Sequence, residues 1–137
     1  MRVARSSSVN PIQVTPLMNV ADIRRSCRFY TEAFGFEVAA SAGPEEDPVW
    51  VRLSLGEASL MLNQRGEGRE RRLAERADHK DVVLYIGVKD AAKLHGHLVR
   101  LGFEIGELEP QDYGLLQFAL YDPDGYELAV TSPLHTA

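Results

Sequence analysis

The chain is predicted to be an α+β protein, with two tandem β-α-β-β-β modules forming a curved, cup-shaped, mostly antiparallel sheet and helices outside. Three observations carry this reading. Val20-Ala21-Asp22 opens a helical stretch closing at Gly35-Phe36, and Val88-Lys89-Asp90 opens another closing at Gly102-Phe103. Asp to Gly spans 13 residues in the first copy and 12 in the second. A hairpin glycine then follows in each, Gly56 and Gly125, 34 and 35 residues after the respective Asp. A period of this size marks a duplicated supersecondary unit.

In the first copy, residues 13–20 hold Val14, Leu17, Met18 and Val20, enough for a short strand. Asp22 is a good N-cap, because its carboxylate accepts from the free N–H groups at a helix start. Ile23, Cys27, Tyr30 and Phe34 recur on one helical face. Gly35 stops the helix by taking the left-handed conformation cheaply. Strand resumes over 36–40, and 41–48 is a turn-rich loop with two prolines and three acids. Trp50 to Leu55 alternates, with Val51, Leu53 and Leu55 on one face and Trp50, Arg52 and Ser54 on the other. Gly56-Glu57 turns the chain into a returning strand, 58–63.

Residues 64–80 are dense in charge and read as a solvated connector. The second copy then runs strand (81–88), N-cap Asp90, and a helix with Ala91, Leu94, Leu98 and Leu101 inward. Gly102 ends that helix, and Phe103–Ile105 is expected to begin the next strand. Leu115–Tyr121 pairs with Tyr126–Thr131 across Asp122-Pro123-Asp124-Gly125. The resulting organisation is a tail over 1–12, one domain over 13–132 (modules 13–63 and 81–132), and a tail over 133–137.

At 137 residues and 45% hydrophobic, the chain can build one ordinary core. Neither half, at roughly 50 residues, is comfortably stable alone, so the two must pack together or on a partner. The net charge of −5 argues against nucleic acid and weakly favours neutral or cationic ligands. The single cysteine, Cys27, cannot form an internal disulfide, which points to a reducing, cytoplasmic setting. No apolar run approaches the ~20 residues needed to cross a bilayer, and residues 1–12 lack the apolar core of a secretory signal.

Taken in order, Val20-x-Asp22, Phe29-Tyr30, Gly35-Phe36, Val88-x-Asp90, Gly102-Phe103 and Asp122-Pro123-Asp124-Gly125 resemble the vicinal oxygen chelate superfamily. That group includes glyoxalase I, bleomycin-resistance proteins, fosfomycin-resistance enzymes and extradiol dioxygenases. The resemblance covers roughly residues 13–132 and is not specific to one reaction. It implies a divalent metal inside the cup of the members that do chemistry, held from the first and last strands of each module. The corresponding positions here are Thr15, Met61, Val83 and Ala129. A hard divalent cation wants carboxylate, imidazole or amide oxygen, which these four do not offer. His79 and Glu127 are the nearest substitutes by alternation. His79 lies about 13 Å upstream of Val83 and Glu127 about 7 Å from Ala129, too far for a bond of about 2.1 Å. The reading is that the metal site is lost and that no cofactor is bound.

Other chemistry-bearing residues are weaker. His95 and His97, two apart on a helix, face different ways and read as surface histidines. Gly66-Glu67-Gly68 is only a fragment of a dinucleotide loop. There is no Gly-x-Ser-x-Gly elbow. Cys27 reads as a buried structural thiol. The cup is expected to be lined by Leu17, Trp50, Arg52, Met61, Asn63, Tyr85, Leu115, Gln117, Ala119 and Ala129, a mix typical of small-molecule pockets. Among these, Trp50, Arg52, Met61, Asn63, Tyr85 and Gln117 are the ligand-binding candidates. Trp50 reads equally as pocket wall or core filler, Arg52 as an anion partner or a solvated surface side chain. Tyr113 is a lid candidate or a plain surface tyrosine.

The leading expectation is a metal-independent small-molecule-binding protein of the bleomycin-resistance type. It would sequester a drug-like or metabolite ligand, with no catalytic residues. The resemblance also implies a homodimer, since short two-module members usually complete their cups across chains. The competing expectation is a metal-dependent lyase, isomerase or dioxygenase, for which Glu127 is the plausible carboxylate. A third is a regulatory or structural relative that binds no drug.

Overall fold

The computed structural model describes residues 13–66 and 79–134, with side chains given from Val82 onward in the second stretch. The expected N-terminal tail, most of the charged connector and residues 135–137 lie outside the described residues. Module one consists of β1 (Leu17–Val20), α1 (Ile23–Phe34), β2 (Glu37–Ala42), β3 (Trp50–Leu55) and β4 (Ala58–Gln64). Module two consists of β5 (His79–Gly87), α2 (Ala91–Arg100), β6 (Glu109–Pro110), β7 (Leu115–Tyr121) and β8 (Tyr126–Pro133). The α+β class and the repeated module hold. The strands form two separate four-stranded sheets rather than the single curved sheet expected, ordered β1-β4-β3-β2 and β5-β8-β7-β6. Only β1–β4 and β5–β8 pair in parallel; the other neighbours are antiparallel.

Both helices start as the sequence dictates. The Asp22 carboxylate accepts from the N–H groups of Arg24 and Arg25, and Asp90 accepts from Lys93 N–H. Gly35, at φ 90°, closes α1 in the left-handed conformation that side chains resist. The inward stripe of α1 is Ile23, Ser26, Tyr30 and Ala33, with Cys27 and Phe34 packed at its margin. Burial pushes the Cys27 thiol above its ordinary value, in keeping with a structural role.

Three further expectations are corrected. Phe103–Ile105 does not begin a strand. Ile105 makes one isolated bridge to Leu120, Gly106 N–H reaches Ala119 O, and β6 is only Glu109–Pro110. The reason is local: a Cβ at Gly106 would stand 3.2 Å from Ala119 O, and His95 Nε2 holds Gly106 O at 2.9 Å. His95 is therefore not a plain surface histidine; its ring also packs edge-on against Phe118 at 5.0 Å. The connector is likewise shorter than 64–80. Gln64 belongs to β4, His79 and Lys80 belong to β5, and Arg65 is 4% exposed.

Arg65 is buried because the turn Asp122-Pro123-Asp124-Gly125 of module two plugs into module one. Asp124 Oδ1 accepts from Ala21 N–H at 2.9 Å and pairs with Arg65 Nη1 at 3.4 Å. Its Oδ2 accepts from the Ser26 hydroxyl at 3.2 Å. Arg25 Nη2 stands 3.8 Å from Oδ1. Asp122 is held from both ends: Tyr30 Oη donates to its Oδ2 at 2.7 Å, and the N–H groups of Asp124 and Tyr126 donate to its Oδ1. Phe29 of α1 meets Phe103 edge-on at 5.8 Å, and Tyr126 Oη donates to Asn19 O. One hairpin turn of one module is thus gripped by the first helix of the other.

Asp124→Ala leaves the Arg65 guanidinium buried without its counter-charge and two donors without an acceptor. The expected loss is about 3–5 kcal/mol of stability, measured by calorimetric unfolding. A loss below about 1 kcal/mol, the size of an exposed pair, would show that the turn does not hold the seam.

Burial pushes the Asp122 carboxyl above its ordinary value, against the pull of its hydrogen bonds from Tyr30, Tyr126 and Asp124. A carboxyl raised on folding holds its proton more tightly in the folded chain. Its contribution is therefore fully present below the unfolded pKa and is lost as pH rises through the folded value. Asp122→Asn keeps the shape and removes the titration. Its Tm minus that of the wild type is expected to climb as pH rises above about 4, the ordinary carboxylate range. A difference independent of pH would refute the assignment.

Candidate functional site

Alternation sorts each sheet into a helix-covered face and an open one. In module one, Val51, Leu53, Leu60 and Leu62 are buried in the core with α1. Trp50, Arg52, Ser54, Ser59, Met61 and Asn63 stand on the opposite face. In module two, Phe118, Leu120, Leu128 and Val130 go to the core. Tyr85, Leu115, Gln117, Ala119, Tyr121, Glu127 and Ala129 take the open side. By strand parity the ten residues expected to line the cup share these faces, but Ala129 is itself buried, at 1% exposed.

Register brings the module-one candidates into one patch. Trp50 lies opposite Asn63, and Arg52 opposite Met61. Asn63 also neighbours Asn19 on β1, and Met61 neighbours Leu17. The Asn63 amide donates to Asn19 Oδ1 at 3.0 Å, which ties the two amides into one polar pair. Trp50 is half-buried and Arg52 exposed. Beside them lies a recess of about 740 Å³ lined by residues that include Thr15, Arg52, Ser54 and Ser59, all from module one. The Ser59 hydroxyl there is buried with no hydrogen-bond partner among the described residues.

The module-two candidates form a second patch. Tyr85 lies opposite Ala129, which lies opposite Ala119, so two small side chains floor a strip beside an aromatic ring. Tyr113 Oη donates to Gln117 Oε1 at 2.7 Å. The Tyr113 phenol is pushed above its ordinary value, chiefly by its hydrogen bond with Tyr85. Tyr113 is thus tied to both predicted binding residues of this patch. Asn19 and Tyr121 also belong to the open faces and were not anticipated. Alternation from Leu17 and from Leu115 was the signal that would have found them.

The two patches do not cover each other within the chain. Tyr85 is 58% exposed, Tyr113 56% and Leu17 49%.

The four positions that the resemblance assigned to a metal do not offer the donors a divalent cation wants. Thr15 precedes β1 in the recess, Met61 sits beside Leu17, Val83 beside Glu127, and Ala129 beside Tyr85. Their side chains supply one hydroxyl, one thioether and hydrocarbon, the wrong donors for a hard ion. Among the described residues, no group of three His, Cys, Asp or Glu could hold a metal. The β5–β8 backbone register shifts between His79 and Val83. Glu127 stays on the open face, opposite both Val83 and Tyr121.

No helix among the described residues is long and apolar enough to cross a membrane. Comparison with solved structures finds close likeness in shape at low identity. A bleomycin-binding protein complexed with bleomycin aligns with TM-score 0.66 and 22% identity over 89% of this chain and 98% of that one. A bleomycin resistance determinant encoded on the transposon Tn5 gives 0.64 and 21%, over 90% and 98%. TnmS3, an antibiotic binding protein from Streptomyces sp. CB03234, gives 0.64 and 19%, over 89% and 97%. At these identities the likeness carries the fold. No curated protein matches the chain in sequence. A family model, however, matches residues 10–130, nearly the whole of the duplicated region. The chain belongs to the glyoxalase/bleomycin resistance protein/dioxygenase superfamily.

Proposed function

We propose that this protein binds and sequesters a small molecule on its open sheet faces, without a metal and without catalysing a reaction. The observation that carries the reading is the makeup of those faces. Trp50, Arg52, Asn63 and Asn19 supply a ring, a guanidinium and an amide pair on one module; Tyr85, Tyr113 and Gln117 supply rings and a polar tip on the other. Such a mix gives area for stacking and a few directional contacts, which is what affinity requires. Acid–base or Lewis-acid chemistry requires a proton-transfer group or a metal donor set at the reacting atom. The family positions for that set hold Thr15, Met61, Val83 and Ala129.

The ligand is read as planar and uncharged or cationic, in keeping with the net charge of −5. A homodimer completes the cup, the open face of module one in one copy lying over that of module two in its partner. The support is the exposure of Tyr85, Tyr113 and Leu17 in the single chain, which leaves each patch one wall short. A reducing, cytoplasmic setting suits a lone half-buried thiol, Cys27.

Trp50 is the only tryptophan, so its emission reports on the site directly. Titration with bleomycin and a panel of planar aromatic antibiotics is expected to give saturable quenching by at least one compound, unchanged by EDTA. A compound at 100 times its Kd should also stabilise the protein by about 2.7 kcal/mol. Arg52→Ala and Tyr85→Ala should each weaken binding about tenfold, roughly 1.4 kcal/mol. No response across the panel, or one that EDTA abolishes together with stoichiometric metal by elemental analysis, would overturn the reading.

A further inference from the structure

The open face of module one is graded along its length. Strand register sets three rows across it, each drawn from the β1 segment, β4 and β3. The first row is Asn19, Asn63 and Trp50, and the second is Leu17, Met61 and Arg52. The third is Thr15, Ser59 and Ser54. Ser54 lies opposite Ser59, and Met61 N–H donates to Pro16 O at 2.8 Å, which carries the β1–β4 alignment back towards Thr15. Thr15, Ser54 and Ser59 all line the recess of about 740 Å³, together with Arg52 and Glu57. Four residues along β3 separate Ser54 from Trp50, about 13 Å at the rise of a strand. The face therefore runs from a ring and an amide pair, past a thioether and a guanidinium, to three hydroxyls.

We infer that this recess takes the sugar of a glycosylated aromatic ligand whose planar part lies against Trp50. The inference rests on the reading of the open faces as a ligand surface and names what that ligand carries. A sugar presents several hydroxyls, each donor and acceptor at once, and needs neighbours of both kinds. The hydroxyls of Thr15, Ser54 and Ser59 serve either way, Arg52 donates only, and Glu57 accepts only. A phosphate, sulfate or carboxylate arm fits less well, because Glu57 would meet it with like charge. An apolar arm would leave all three hydroxyls unmatched. Ser59 makes the sharper case. Its hydroxyl is buried at the recess with no hydrogen-bond partner among the described residues, whereas buried polar groups are nearly always matched. The volume of the recess also lies within the range of small-molecule pockets, about 300–1,000 Å³.

Two measurements on the full chain test it. In amide NMR spectra, methyl glucoside at millimolar concentration should shift the Ser54, Gly56 and Ser59 resonances saturably. Ser59→Ala combined with Thr15→Val, shown to be folded by circular dichroism, should abolish those shifts. In calorimetric titration the flavonol glucoside isoquercitrin should bind at least tenfold tighter than its aglycone, quercetin. The double variant should remove that preference and leave the affinity for quercetin unchanged. Ser54→Ala, made separately, should lower the preference in the same direction. Recess resonances that ignore the sugar, an aglycone that binds as tightly as its glucoside, or a preference that survives in the folded variants would each overturn the inference. If the recess answers the sugar while Trp50 answers no compound, the sequestration reading falls and the sugar assignment stands.

Discussion

Asp124 is 1% exposed, sits 103 residues from the backbone N–H it accepts from, and shares its two oxygens among Ala21, Ser26 and Arg65. A carboxylate taken out of water this completely survives only when nearly every lone pair is met and a counter-charge is buried with it. The two modules meet where these conditions are satisfied together. Asp122 adds the second half: it ties its own turn through two backbone N–H groups and reaches across to the Tyr30 hydroxyl. The turn is shaped and docked by the same pair of side chains. Pro123 and Gly125, the latter at φ 90°, supply the backbone that brings both carboxylates to one side.

This seam governs what is left for function. It is built from α1, the end of β1 and the start of the connector, and it uses none of the open-face residues Trp50, Arg52, Tyr85 or Gln117. Neither patch is consumed in holding the modules together. The polar groups on the open faces are therefore available to a ligand, where a covering module would have demanded apolar ones. Ser59 illustrates the difference: its buried hydroxyl in the recess has no hydrogen-bond partner among the described residues.

Much of this was legible in the chain. Hydrophobic periodicity and the Asp and Gly punctuation located both helices and most strands, because those signals are local and each acts within a turn or two of itself. Alternation put Trp50, Arg52, Met61 and Asn63 on one face, and register made them a patch. The seam was not legible in the same way. Ser26 lies outside the apolar stripe expected of α1 (Ile23, Cys27, Tyr30, Phe34), yet it is fully buried because its partner lies 98 residues away. Arg65 sits at the head of a charge-rich stretch and reads as solvated for the same reason. The short β6 was misplaced because Phe103 and Ile105 are apolar for packing on α1 and β7 rather than for pairing. Long-range pairing of polar groups leaves no periodic mark.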